Sequence, residues 1–405
     1  MTKAFDAIVV GARCAGSPTA MLLAREGYRV LVVDRAIFPS DTVSTHLLHP
    51  LGVDALSRWG LLDRLVVTGC PPIHTYCFDF GPFTISGSPG TDKAPVAYCP
   101  RRTILDKLLV DAAAEAGAEV REGFTVEEIL IEDGRAVGIK GRSNHSSVIE
   151  RARVIVGADG RRSSVAEAVR TERYDEKPPL LAAYYTYWSG LPMDGRVENY
   201  IRDRRGFAVM PTHDDLTLVI AGWPYSELEE NKNDIEGNYR KTIELAPMFA
   251  DRLRGAKREA RFAGAAVPNY FRRPFGPGWV LVGDSGYNRD FITAQGIMDA
   301  FLDAELCAAA LDKSFSGARP FEDAMHEYQR TRDARVKAMY EFTCQLATLE
   351  PPPPDLQQIL AAVHGNQPAM DDFVRMNAGT ISPAEFFAPE NVKAMMAAAT
   401  TSVSA

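Results

Sequence analysis

Four residues near the amino terminus have the types and spacing to hold a phosphate. In "DAIVVGARCAGSPTAMLLAREGYRVLVVDRA" (6–36), Gly11 and Gly16 stand where G-x-G-x-x-G has its first and third glycines, and Arg13 replaces the second. The first glycine makes a tight turn, the second lets a diphosphate approach the backbone, and the third lets helix pack on strand. Arg13 is compatible with that task, because the helix amides and dipole lie beyond it and its own charge favours a phosphate. Asp34 ends the next strand, where a carboxylate can accept hydrogen bonds from ribose hydroxyls. An ordinary glycine-rich turn and a surface acid are the alternatives. The strand before, the helix after and the acid at the second strand's end favour the nucleotide.

The elements that must position these residues alternate at first. A strand at 6–10, a helix at 16–27 and a strand at 29–34 are followed by a long loop rich in His, Ser and Pro. "PRRTILDKLLVDAAAEAGAEVRE" (100–122) reads as a helix ending near Gly117 and then a strand. "TVEEILIEDGRAVGIKGR" (125–142) alternates around "EDGR", a hairpin signal, and "ARVIVGADG" (152–160) is a buried strand entering a turn. From about Leu180 the aromatic and β-branched runs predict antiparallel strands. Residues 236–256 read as helix, 278–286 as a strand, and a helix follows from about Ala294. A long amphipathic helix at 321–350 is stopped by Pro351–Pro354, and 355–405 reads as short helices with an Ala/Ser-rich end expected to fray.

Composition bounds the reading. A chain of 405 residues, 46% hydrophobic and 24% charged, belongs with globular proteins. Its net charge of −8 argues against a nucleic-acid or anionic-membrane partner. No apolar run is long enough for a transmembrane segment and no signal pattern opens the chain, so the cytoplasm is the expected location. Six cysteines without a CxxC pair read as reduced thiols, and no metal site is read.

Two further stretches, "VIVGADGRRSSVAEAV" (154–169) and "GWVLVGDSGYNRDFITAQGIMDAFLDAE" (278–305), join the first motif in a resemblance. Together they resemble the three fingerprints of FAD-dependent class A (aromatic hydroxylase-like) monooxygenases, a superfamily shared with geranylgeranyl reductases and flavin halogenases. The resemblance covers about 5–330 in order and spacing. It implies an α/β fold: a Rossmann-like FAD-binding domain of the GR2 type at 1–70, 98–175 and 270–330. A mostly antiparallel substrate sheet at 71–97 and 176–269 would interrupt it, with a helical C-terminal region at 331–405.

The resemblance also implies which residues hold non-covalent FAD. Gly11, Arg13, Ala15, Gly16, Asp34 and Arg35 belong to the phosphate loop and the ribose strand, and Thr45 to the loop beyond. Arg102 matches the helix whose Arg or Gln touches the ribityl region, with a solvated helix-start arginine as the alternative. Asp284 matches the Asp that bonds the ribityl chain, and Val126 sits where backbone groups meet adenine. Asp159 belongs to the motif that links the flavin domain to NAD(P)H handling. The amides of Gly296 and Ile297 could stabilise negative charge on reduced flavin.

The implied reaction is reduction by transiently bound NADPH or NADH, addition of molecular oxygen as a flavin C4a-hydroperoxide, and transfer of oxygen to a hydrophobic or aromatic small molecule. Tyr185, Tyr187, Phe207, Met210 and Phe291 are the pocket candidates. His46, Tyr287 and Asp290 are polar candidates without a committed acid–base role; a structural histidine is an equal reading of His46. Tyr287 replaces the family's usual His, Asp290–Phe291 its prolines, Met298 its Asn and Ala166 its closing Arg. These departures fall near the flavin's reactive face and the reductant path. "GFAVMP" (206–211) lacks the tryptophans of the halogenase W-x-W-x-I-P, which disfavours halogenation, and partly resembles the reductases, which leaves alkene reduction as the competitor. A non-catalytic FAD-binding protein is the weaker reading, because a mere binder does not need the GD-helix region. Oligomeric state is not legible.

Overall fold

The first strand, Phe5–Val10, pairs in parallel with Val30–Val33 on one side and Ser146–Gly157 on the other. Both faces are covered, which is why its sequence is a nearly unbroken apolar run rather than an alternation. The computed structural model describes residues 4–143 and 146–403. In it this sheet continues through Trp279–Leu281 to Phe275–Gly276 at one edge and through Val30–Val33 to Glu119–Arg121 at the other. The hairpin Thr125–Glu132 and Arg135–Ser143 joins it through Ser146–Gly157, turning at Asp133–Gly134 with φ of 48° and 77° as "EDGR" predicts.

A second, mostly antiparallel sheet runs in the order Lys257–Arg258, Leu181–Ser189, Thr217–Pro224, Arg205–Pro211, Arg196–Arg202, Thr75–Asp79 and Thr84–Gly87. Its two faces follow the strand period. Ala182 and Trp188 pack on the helices Ile235–Glu244 and Pro247–Arg254, while Tyr185 and Tyr187 face the opposite way. The helical stretch expected over 236–256 is broken here, at Ala246, because Pro247 cannot continue a preceding helix. The His/Ser/Pro-rich stretch is also more ordered than a loop, holding helices Pro50–Arg58 and Leu62–Val66.

Helix Gly296–Phe315 crosses the first sheet, and the long helix Phe321–Ala347 packs along it. Four helices follow, Pro354–Val363, Gln367–Ala378, Pro383–Phe386 and Pro389–Val403. They bury Phe373, Phe386 and Met376 against Ile85 and Phe78 at the far edge of the second sheet. The end expected to fray is therefore helical through Val403; residues 404–405 lie outside the described ones. All six cysteines are free thiols, five of them buried.

Candidate active site

The phosphate loop closes as its glycines require. Gly11 has φ of 103°, and a Cβ there would lie 2.4 Å from the Ala158 carbonyl oxygen; one on Gly16 would lie 1.8 Å from the carbonyl oxygen of Gly11. Asp34 Oδ2 accepts the Ala12 amide at 2.7 Å and Oδ1 accepts the Ala36 amide at 2.8 Å, so the ribose candidate also fastens the loop to the second strand. Helix Gly16–Arg25 carries no acidic residue in its first turn and no side-chain cap at Ala15, which keeps its amide end positive and available. Arg35 is exposed at the rim, and Val126 packs partly on the cluster of Ile8, Leu31 and Phe124.

Arg13, whose charge favours a phosphate, is held by neighbours of its own. Its guanidinium pairs with Asp106 and donates to Ser40 Oγ at 2.8 Å. Asp106 is fully buried and also holds Arg102, Nε to Oδ1 at 2.9 Å and Nη2 to Oδ2 at 3.1 Å. The reason is charge balance: one buried carboxylate serves two arginines, so the loop keeps a net positive charge while each guanidinium is held in place. Asp106 was not singled out from the sequence, although its position four residues after Arg102 is a legible helix pair.

Asp284 follows strand Trp279–Leu281 at Gly283, whose φ is 62°. Its carboxylate opens on the cleft yet sits deep in the protein. Burial lifts its pKa to about 6, against the attraction of Arg161 and Arg102. Gly296 is exposed at the start of its helix, and a Cβ there would meet nothing within 4 Å. Ile297 turns its side chain into the core, leaving only its amide for a ligand. Asp159 spends its carboxylate on its own turn, accepting Ser163 Oγ at 2.5 Å and the Ser164 amide at 2.7 Å. The donor set of helix amides, Arg102 and open carboxylates fits a dinucleotide diphosphate flanked by hydroxyl-bearing chains.

Beside this cleft a partly open cavity of about 140 Å³ lies between the second sheet and Phe291–Ala294, the segment leading into Gly296. Met210 and Phe291 line it, as does Thr45, whereas Phe207 borders it with its ring stacked on Tyr200 and Phe249 on the helix side of the sheet. Tyr185 and Tyr187 do not line it; they share its face of the sheet but close around His46 instead. His46 is fully buried at φ of 62°, a left-handed conformation costing a residue with a Cβ about 1–2 kcal/mol. A 2.6 Å hydrogen bond between its Nε2 and the Tyr187 hydroxyl and one from its amide to Ser44 Oγ hold it there, while Nδ1 has no partner. Burial, reinforced by Arg102 and Arg101, lowers its pKa to about 3, which leaves it a neutral imidazole at neutral pH.

Of the other polar candidates, Tyr287 packs away from the cavity, among Phe271, Val336 and Tyr340, with its hydroxyl unpartnered. It sits on a short strand whose side chain points to the long helix, which sequence spacing alone could not decide. Asp290 lies directly behind the lining residues Leu181, Phe291 and Ile292. Its Oδ1 accepts the Ile292 amide at 3.0 Å and Oδ2 is buried without a partner. Burial raises its pKa to about 7, opposed by the nearby amides of Ile292, Leu181 and Phe291. His49 was missed by the sequence reading. It lines the cavity, donates from Nε2 to the Thr293 carbonyl at 3.0 Å, and accepts the Tyr76 hydroxyl on Nδ1 at 2.9 Å. Burial lowers its pKa to about 4, so it braces the wall as a neutral ring.

The chain belongs to the FAD binding domain family, whose sequence profile matches residues 4–343. With the cradle above, that makes it a flavin-dependent oxidoreductase by family. It is 26% identical over 339 residues to a tryptophan 2-halogenase of Chondromyces crocatus, covering 80% of this chain and 64% of that protein. It is 24% identical over 359 residues to digeranylgeranylglycerophospholipid reductase 2 of Methanopyrus kandleri, covering 84% and 87%. Among solved structures, the myxobacterial chondrochloren halogenase has a TM-score of 0.79 at 24% identity, covering 98% and 97% of the two chains. PqsL of P. aeruginosa, solved in complex with 2-aminobenzoylacetate, has a TM-score of 0.74 at 22% identity, covering 93% and 100%. At such identities the structural likeness establishes the fold and no more. The chain spans less than two-thirds of the tryptophan halogenase's length.

Proposed function

We propose that the chain is an NAD(P)H-dependent monooxygenase that hydroxylates a small hydrophobic or aromatic molecule. The observation that carries this reading is the partly open, largely apolar cavity of about 140 Å³ against the segment leading into Gly296. A cavity of about 150 Å³ accommodates benzene, so the space suits a single ring. FAD, when bound, supplies the electron transfer and the oxygen chemistry.

The chain's own residues do the rest. The loop at Gly11–Gly16 and its helix hold the diphosphate; Asp34, Asp284 and the Asp106-braced Arg102 hold the flanking hydroxyls and charge. The amides of Gly296 and Ile297 face developing negative charge with donors already oriented. Ala183, Met210, Ile220 and Phe291 keep water from the reacting ring. His49 and Tyr76 fix the Thr293 carbonyl and with it the wall before Gly296.

Alkene reduction is the second reading, favoured by a reductase relative matched over 87% of its length. The test is oxygen uptake and NAD(P)H oxidation by the flavin-loaded protein over a panel of single-ring compounds, with and without chloride or bromide. The expected result is ring-stimulated uptake with a hydroxylated product, indifferent to halide. A halide requirement would assign halogenation. Reoxidation by a prenyl alkene under argon, with featureless oxygen uptake in air, would assign reduction.

A further inference from the structure

The cavity shares a wall with an open groove that runs along the end of helix Phe321–Ala347. Leu180 and Thr348 line the groove, with Phe342 and Phe387, while the next residue of each segment, Leu181 and Leu349, lines the cavity. Leu349 is the unusual member of this wall. The helix is capped by Thr348, and Leu349 follows it in the left-handed region, at φ of 54°. Glycine ordinarily takes that place after a helix, because any Cβ there is strained. Only the contacts of the leucine side chain can offset that strain, and the facing strand leaves room for them. A Cβ on Gly206 would lie 4.0 Å from Leu349 Cδ2.

Among the described residues, little holds this segment in place. The Leu349 amide donates to the Leu346 carbonyl at 3.1 Å, and the Glu350 amide to Thr348 Oγ1 at 3.2 Å. Pro351, Pro352 and Pro353 have no amide hydrogen to add. Glu350 pairs with Arg204 at 2.8 Å, but 60% of its side chain is exposed and solvent weakens the pair. Beyond it the chain is fixed again, where Gln357 Nε2 donates to the Pro352 carbonyl at 2.7 Å. Pro351 confines Glu350 to extended backbone. A change of conformation therefore falls on Leu349, whose move to an ordinary backbone region releases strain and swings its side chain.

We propose that Leu349 is a gate: its side chain closes the passage between groove and cavity, and small apolar ligands enter when it turns away. The gate goes beyond the proposed reaction, because it governs the passage of any small molecule and takes part in no step of the chemistry.

The test is thiol labelling of FAD-loaded Met210→Cys protein with methyl methanethiosulfonate, a small neutral reagent, read site by site by peptide mass spectrometry. Position 210 is buried and lines the cavity, so modification there reports entry. Ala384→Cys, exposed in the groove, supplies the ungated rate, and Cys307, fully buried in the core of the first sheet and its helices, reports general breathing. With Leu349 in place, the thiol at position 210 should react far more slowly than the one in the groove. Leu349→Gly, which also relieves the backbone, and Leu349→Ala, which keeps a Cβ, should each speed it by about tenfold or more while Cys307 keeps its rate. An unchanged rate at position 210 in both variants would overturn the proposal. So would reaction there as fast as in the groove while Leu349 is present, or an equal acceleration at Cys307. No reductant, oxygen or substrate enters the labelling, so the gate stands or falls separately from the oxygenase reading.

Discussion

Asp290 and His46 are both buried beside the cavity, and burial drives their pKa values in opposite directions because one is charged when it loses a proton and the other when it gains one. His46, at about 3, carries no charge anywhere near neutrality, so it cannot set a neutral limb of a pH–rate profile. Asp290, at about 7, can. The folded carboxyl keeps its proton between its ordinary 3.8 and about 7, whereas the unfolded one has lost it. Folding stability from this group is therefore fully present below about pH 4 and falls as pH rises through 7, by roughly 4 kcal/mol at most. Asp290→Asn removes that loss while its amide oxygen can still accept from Ile292. Urea unfolding should find the variant more stable than wild type at pH 8 and close to it at pH 4; the same difference at both pH values would mean that Asp290 does not titrate in this range. Neither environment could be read from the sequence. Spacing put both residues near the flavin, but the Tyr187 bond and the orphaned Oδ2 depend on strands some 140 and 110 residues away.

At the scale of elements, two glycines of the candidate cofactor cradle are glycines for different reasons. Gly11 is fixed by the chain itself, through its positive φ and an Ala158 carbonyl oxygen that would lie 2.4 Å from any Cβ there. Gly296 has ordinary backbone geometry and open space in front of it. Gly11→Ala should lower apoprotein stability and FAD retention together. Gly296→Val should keep apoprotein Tm within a few degrees and still weaken FAD binding, measured by equilibrium dialysis. Equal FAD affinity in Gly296→Val would remove that helix start from the cofactor cradle. The elements most visible in sequence were those with strong local signals: the strand–glycine–helix opening, the "EDGR" hairpin, and the helix stopped by Pro351–Pro354. The helices of the His/Ser/Pro-rich stretch were missed because Pro50 reads as a breaker, yet stands at a helix start where its absent N–H costs nothing.

At the scale of the whole molecule, the cavity is assembled from segments that no local pattern connects. Thr45–His49, the strands of the second sheet, Phe291–Ala294, Leu349 and Asn377 each contribute a wall. Gln295 ties this together, donating from Nε2 to the Asn377 carbonyl at 2.8 Å and so joining the start of helix Gly296–Phe315 to the C-terminal helices. The family motifs made the α/β fold and the flavin legible, because each motif is local. The cavity's size and place were not, since both arise only when distant strands align. The most direct measurement is turnover of a single-ring aromatic compound by the flavin-loaded protein with NAD(P)H under isotopically heavy oxygen gas, followed by mass spectrometry of the product. The account predicts one heavy oxygen atom in the ring product and none from water. A product whose new oxygen comes from water, a halogenated ring, or a reduced product formed equally well under argon would contradict it.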